Sequence, residues 1–159
     1  MPATKLVHIV PQGVLDESRT FFQSRGAQGF EGTALWVGRP GGPEIKITRL
    51  VVPEQIAQSD ECGACVDLTP RAHYTLTDHL TGDERFVVRI HAHPREAYHS
   101  ARDDENAILT HEGALSVVVP YYARDPIQLE RCAVYRYGRR HGWVQLDVRT
   151  IRTLFRVVR

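Results

Sequence analysis

The spacing of hydrophobic positions changes repeatedly along the chain, and each change marks an element. Lys5 to Val10 is a short apolar, β-branched run that Pro11-Gln12-Gly13 breaks, which predicts a strand. From Val14 to Arg25 the apolar residues Val14, Leu15, Phe21 and Phe22 recur with the spacing of one helical face, and Gly26 ends the pattern. Thr33 to Val37 and Glu44 to Val52 read as strands, and the turn chemistry of Arg39 to Pro43 between them predicts an antiparallel pair with Glu31 just ahead of it. Pro53 to Ala64 reads as a polar connection. Pro70 suits the first position of a helix reaching Leu80, with Gly82 beyond it. Arg85 to His91 is the next strand, Ser100 to Thr110 a helix, and the unbroken apolar run Leu115 to Val119 a central strand covered on both faces. Ile127 to Tyr137 and Gly142 to Val148 predict a last hairpin. In the final segment Arg149, Arg152, Arg156 and Arg159 alternate with Ile151, Leu154, Phe155 and Val158 at helical spacing, which predicts a core-covering helix with a basic outer face; a β reading of Leu154 to Val158 stands beside it. With no repeat or linker, the pattern predicts one α/β domain over 1–159, a mixed β-sheet with helices packed on it.

Candidate chemistry concentrates between Arg89 and Glu105. His91 and His93 are two apart at the end of a β-branched run, so a strand would project both imidazoles from one face, about 6 to 7 Å apart at Cα. Pro94 cannot donate to a sheet ladder, so the chain should leave the sheet beside the two rings. Ser100-x-x-Asp103 then reads as a helix cap, from which Asp103 or its neighbour Asp104 could reach back as a third ligand. Two His, one carboxylate and an open fourth position make the ligand set of a catalytic zinc site.

These residues resemble the signature of the JAMM (MPN+, Mov34/JAB) zinc metalloproteases, His-x-His-Pro followed by Ser-x-x-Asp. The family's upstream glutamate, set in Glu-x-x-Gly-x-Leu-x-Gly, is matched in looser form by Glu31 within Gly29-Phe30-Glu31-Gly32-Thr33-Ala34-Leu35-Trp36-Val37-Gly38. The resemblance implies an MPN (JAB/cytidine-deaminase-like) fold, a zinc ion held by His91, His93 and Asp103, Glu31 as general base and Ser100 as a donor to the oxyanion. It further implies cleavage after the C-terminal glycine of a ubiquitin-like protein or its conjugate, alongside other members of a ubiquitin-like conjugation module. A peptidase that trims sulfur-carrier proteins or small cysteine-containing substrates, and a non-catalytic MPN scaffold, are the alternatives.

Composition changes this picture little. A hydrophobic content of 42% and a charged content of 25% are ordinary for a globular protein. A formal charge of +1 makes no case for nucleic acid, and no apolar run approaches the length needed to span a membrane. The first residues lack the pattern of a signal peptide, and three cysteines do not suggest a disulfide scaffold, so a cytoplasmic protein is expected. Cys62-Gly63-Ala64-Cys65 fits half a zinc knuckle or a redox pair, although two ordinary cysteines at a strand or loop edge is the default reading; Cys132 stands alone. A zinc deaminase is excluded, because that chemistry needs His-x-Glu ahead of Pro-Cys-x-x-Cys. His73 and His79 are expected at the surface.

Overall fold

The computed structural model describes residues 5–60, 63–100 and 108–159, the side chains of 58–60 and 63–65 excepted. Its elements are β1 (Val7–Pro11), α1 (Gln12–Gly26), β2 (Thr33–Gly41), β3 (Glu44–Val51), β4 (Gln55–Asp60), β5 (Gly63–Leu68), α2 (Pro70–Thr75), β6 (Arg85–Ala92), β7 (Leu115–Val119), β8 (Ala133–Gly138), β9 (Gly142–Gln145), α3 (Val148–Leu154) and β10 (Phe155–Val158). Eight strands form one mixed sheet in the order β10-β1-β3-β2-β6-β7-β8-β9, while β4 and β5 pair with each other. The pairs β1–β10, β1–β3 and β6–β7 are parallel and the remaining ladders antiparallel.

β2, β6 and β7 lie in the middle of this sheet and are buried on both faces, which explains their near-continuous apolar sequences. Ala34 and Trp36 of β2 join Ile90, Val117 and Val119 beneath α1 and α3 in the larger core. Leu35 and Val37 turn the other way, into a smaller core with Phe86, Leu109 and Ala114. α1 presents Val14, Leu15, Ser18 and Phe22 to the larger core. Its one polar member is satisfied there: the Trp36 indole N–H donates to Ser18 Oγ (3.0 Å), which in turn donates to the Val14 carbonyl (2.7 Å). The sheet curls until β1 and the β7–β8 end share a cavity of about 370 Å³ walled by His8, Leu115, Arg136 and Leu154.

Several sequence expectations are corrected. The polar connection over Pro53 to Ala64 is largely the β4–β5 ribbon; the only apolar residues of β4, Ile56 and Ala57, are adjacent, so no alternation announces that strand. The helix from Pro70 stops at Thr75, where the backbone leaves helical geometry, and a 3-10 turn continues over Leu76–His79; His73 and His79 are exposed, as expected. β8 begins at Ala133 rather than Ile127, because a 3-10 turn occupies Leu129–Arg131. The basic helix ends at Leu154, and Phe155–Val158 pairs with β1 instead, so the β reading holds. An open strand edge with backbone groups to satisfy outweighs helical spacing there. Arg156 leaves the supposed basic face and pairs with Glu44 (2.7 Å). The helix expected over Ser100 to Thr110 lies outside the described residues apart from its ends, where neither Ser100 nor Ile108–Thr110 is helical.

Two stability outcomes follow from the buried polar groups. Ser18→Ala strands the indole N–H in the core and should destabilise the fold by about 1–3 kcal/mol, read as a lowered urea midpoint at unchanged m-value. His8 is 2% exposed, and burial, assisted by the Arg136 charge and opposed by the Leu154 backbone, pushes its pKa from 6.5 down to about 4. Between those two values the unfolded chain binds the extra proton, so stability should fall as pH is lowered from about 6.5 to about 4 and be insensitive to this group above that window. Unfolding curves of wild type and His8→Phe should diverge only in that range, with the wild type carrying the steeper loss.

Candidate metal centre

β6 brings His91 and His93 to its C-terminal end. His91 pairs with Thr33 on β2 and with Val118 on β7, and the His93 N–H still reaches the Val119 carbonyl (2.9 Å), so extended backbone persists as far as Pro94. The two side chains therefore share a face, as alternation predicts, with ring centroids 5.1 Å apart and exposures of 3% and 5%. The ring of Tyr98 meets His93 edge-on at 4.8 Å.

Glu31 arrives by the same logic from the neighbouring strand. Continuing the antiparallel Thr33–His91 pairing, the Ala92 N–H donates to the Gly32 carbonyl (3.4 Å), which carries the contact to the residue next to Glu31. Glu31 is buried. Its carbonyl accepts from both Nε (3.2 Å) and Nη2 (3.1 Å) of Arg25 in the last turn of α1, which fixes the backbone that carries the carboxylate. A Cβ on Gly32 would sit 2.9 Å from the Phe21 ring, so a side chain there would push that ring aside.

The sequence reading missed three supports of this centre. Gln55 acts as a substitute strand: its amide accepts from the Thr33 N–H (2.8 Å) and donates to the carbonyls of Thr33 (2.9 Å) and Pro53 (2.8 Å), holding the start of β2. Only the fold brings a residue of the β4–β5 ribbon there. A second support surrounds His99, whose ring stacks on Tyr135 at 4.0 Å and whose Nε2 lies 2.8 Å from Ser116 Oγ; its backbone N–H donates to the Tyr135 hydroxyl (3.0 Å). The buried guanidinium of Arg89, two residues before His91, donates to the same Ser116 oxygen (3.2 Å). This network anchors the chain immediately ahead of Ser100, which is half-buried. The third support is the turn after β7. Tyr121, Tyr122 and Ala123 all have positive φ (54°, 52° and 56°), one turn of left-handed helix made without glycine. Each such residue costs on the order of 1–3 kcal/mol.

This chain is similar to the probable metalloprotease y4jG of Sinorhizobium fredii, 34% identical over 135 residues that span 84% of this chain and 83% of that protein. The chain belongs to the JAMM/MPN metalloprotease family. A solution structure of a protein from Desulfitobacterium hafniense shares the fold, with a TM-score of 0.63 at 17% identity over 96% of this chain and 93% of that one. A JAB1/MPN domain protein from Archaeoglobus fulgidus aligns with a TM-score of 0.46 at 15% identity over 97% of this chain and 98% of that one. No protein-family model matches the chain.

The donor set on the JAMM/MPN strand fits a metal ion. Two imidazoles bound to one tetrahedral ion through nitrogens about 2.0–2.1 Å from it have centroids roughly 5 Å apart, and the observed separation is 5.1 Å. Asp103, and Asp104 as its alternative, lie outside the described residues, among which no third His, Cys, Asp or Glu completes a metal cluster. Cys62 and the Cys65 side chain likewise fall outside.

If Gln55 sets the start of β2, Gln55→Ala should lower stability by about 1–3 kcal/mol through the backbone groups it leaves unsatisfied. The Thr33 amide should then exchange with solvent faster than the amides of Leu35 or Trp36, which amide exchange measured by NMR would resolve.

Proposed function

We propose that this protein is a zinc-dependent peptidase of the JAMM type that cleaves after the C-terminal glycine of a ubiquitin-like protein, either to process a precursor or to release a conjugate. The observation that carries the reading is the pair of rings of His91 and His93, 5.1 Å apart on one buried face at the end of β6, with Glu31 buried just ahead of the strand that pairs with it. The name of the Sinorhizobium relative supports the peptidase part of it. The ubiquitin-like substrate rests on the resemblance of His91-Ala92-His93-Pro94 and Ser100-x-x-Asp103 to the family signature.

His91, His93 and Asp103 would hold the zinc, with Asp104 the alternative third ligand. When bound, zinc supplies Lewis acidity, lowering the pKa of water toward 7 and polarising a carbonyl. The remaining steps belong to the chain. Glu31 takes the proton of the attacking water and delivers it to the departing amine, a role worth about 10²- to 10⁴-fold in rate. Its burial beside His93 keeps bulk water from competing for that proton. The Ser100 hydroxyl donates to the oxygen that gains charge as the carbonyl becomes tetrahedral, and loss of such a donor costs about 10²- to 10³-fold. A tail that adds as an extended strand would be recognised by its main chain, with room for glycine and not for bulkier residues beside the scissile bond.

The reading is tested by zinc content and by cleavage of a ubiquitin-like precursor carrying a C-terminal extension, for wild type, Glu31→Ala, His91→Ala and Asp103→Asn. About one zinc per chain is expected in wild type and Glu31→Ala, less in His91→Ala and Asp103→Asn, with cleavage in wild type only. Zinc retained in His91→Ala would move the metal elsewhere, to Cys62 and Cys65 first. Cleavage of a sulfur-carrier precursor in place of the ubiquitin-like one would overturn the substrate class and keep the chemistry.

A further inference from the structure

The left-handed turn after β7 carries more interactions than a change of direction requires. A connection that needed only to reverse the chain would place glycine or asparagine at positive φ, because a Cβ is disfavoured there. This chain has Tyr121, Tyr122 and Ala123, and each has a separate task. Ala123 is 1% exposed and belongs to the larger core. Tyr121 is exposed, with the Arg124 guanidinium 5.4 Å above its ring. Tyr122 is half-buried and lies between α1 and the metal centre.

Four contacts over-determine the turn. The Tyr121 N–H donates to the Arg95 carbonyl (2.9 Å) and the Tyr122 N–H to the His93 carbonyl (2.9 Å), tying it to both sides of Pro94. Arg19 of α1 donates from Nε to the Ala123 carbonyl (3.2 Å) and from Nη2 to the Arg124 carbonyl (2.7 Å). The end of α1 approaches so closely that a Cβ on Gly26 would lie 2.5 Å from the Tyr122 Cβ. Arg25 of the same helix holds the Glu31 carbonyl, and burial, with the Glu31 charge after it, raises the pKa of the Tyr122 phenol. Backbone strain held in place by its surroundings, next to reactive groups, is a mark of pre-organisation.

We propose that Tyr122 is a positioning residue: the strained turn packs its ring against Gly26 of α1, the helix that holds the Glu31 carbonyl, while its amide fixes the His93 carbonyl, so that base and metal ligand keep their relative placement. The inference rests on the reading of Glu31 and His93 given above. Positioning comes from the ring and the backbone, and the hydroxyl has no part in the reaction. Phenylalanine at 122 should therefore work, whereas glycine should keep the left-handed turn but lose the ring that braces it against Gly26.

The experiment compares wild type, Tyr122→Phe and Tyr122→Gly as full chains, with zinc affinity read by chelator competition, kcat and KM on the substrate that wild type cleaves, thermal midpoints, and exchange of the Tyr121 and Tyr122 amides in metal-free protein. Tyr122→Phe is expected to keep zinc affinity and kcat within about threefold of wild type, while Tyr122→Gly weakens zinc by about tenfold and lowers kcat at saturating zinc by about tenfold or more with KM nearly unchanged. The midpoint of Tyr122→Gly should hold, because glycine adopts the left-handed turn without the Cβ penalty. In wild type the two amides should be protected like those of β6. Unprotected amides, an unchanged kcat in Tyr122→Gly, or a loss in Tyr122→Phe as large as in Tyr122→Gly would each overturn the proposal. A wild type that binds zinc and cleaves nothing would sink the functional reading instead, and the exchange and zinc-affinity arms would still decide whether the turn holds His93.

Discussion

The pairing register of β2 against β6 is the constraint on which the rest depends. Successive side chains of a strand alternate between faces, so sliding β6 by one residue would send His91 and His93 into the larger core and turn Ile90 and Ala92 toward the metal side. The register is held by burial on both faces at once. Trp36 and Ala34 fill one core, Leu35 and Val37 the other, and either set would be misplaced by a slip. His91, His93 and Glu31 thus inherit their placement from apolar packing on which they do not themselves lie.

The cost of the site shows on the same face. Beyond Leu35 and Val37 that face stops being apolar and carries Thr33, Glu31, Arg89, His91, His93 and Ser116, all buried. Removing such groups from water is unfavourable unless each finds a partner, and a charged group such as the Arg89 guanidinium costs more than a neutral one. Arg89, His99, Ser116 and Tyr135 meet this by bonding and stacking among themselves. The network also ties the loop after Pro94 to β7 and β8, so the requirement for hydrogen-bond satisfaction and the requirement for a fixed loop are met by the same contacts.

How far the sequence could be read follows from the range of the forces involved. His91 and His93 are legible because alternation is local: two residues apart on a strand is one face, whatever the rest of the chain does. Glu31 needs more, namely a hairpin and its register with β6, and it is reached through family resemblance rather than spacing. Gln55 and Tyr122 are not legible at all. The amide of Gln55 replaces a strand that is absent from that edge, and Tyr122 matters through a backbone conformation that its sequence disfavours. The C-terminal segment shows the opposite failure, a clean helical period in Ile151, Leu154, Phe155 and Val158 overruled by the open edge of β1. β4 lacks the apolar alternation by which strands are recognised, since Ile56 and Ala57 are adjacent.

These cases divide along one line. Where a residue's role is set by its immediate neighbours in the chain, pattern and role coincide. Where it is set by a backbone group donated from elsewhere in the fold, the sequence shows an ordinary polar residue or an unfavourable turn. The turn at Tyr121–Ala123 belongs to the second kind, and its strain is informative for that reason. No local preference would produce three left-handed non-glycine residues, so their conformation must be imposed by the bonds to His93, Arg95 and Arg19. Those bonds join the C-terminal end of β6 to α1, the helix that also holds the Glu31 carbonyl through Arg25. The backbones of Glu31 and His93 are therefore joined twice, once through the β2–β6 ladder and once through the turn and α1. A pair braced on two sides in this way resists the small relative displacements to which reaction geometry is sensitive.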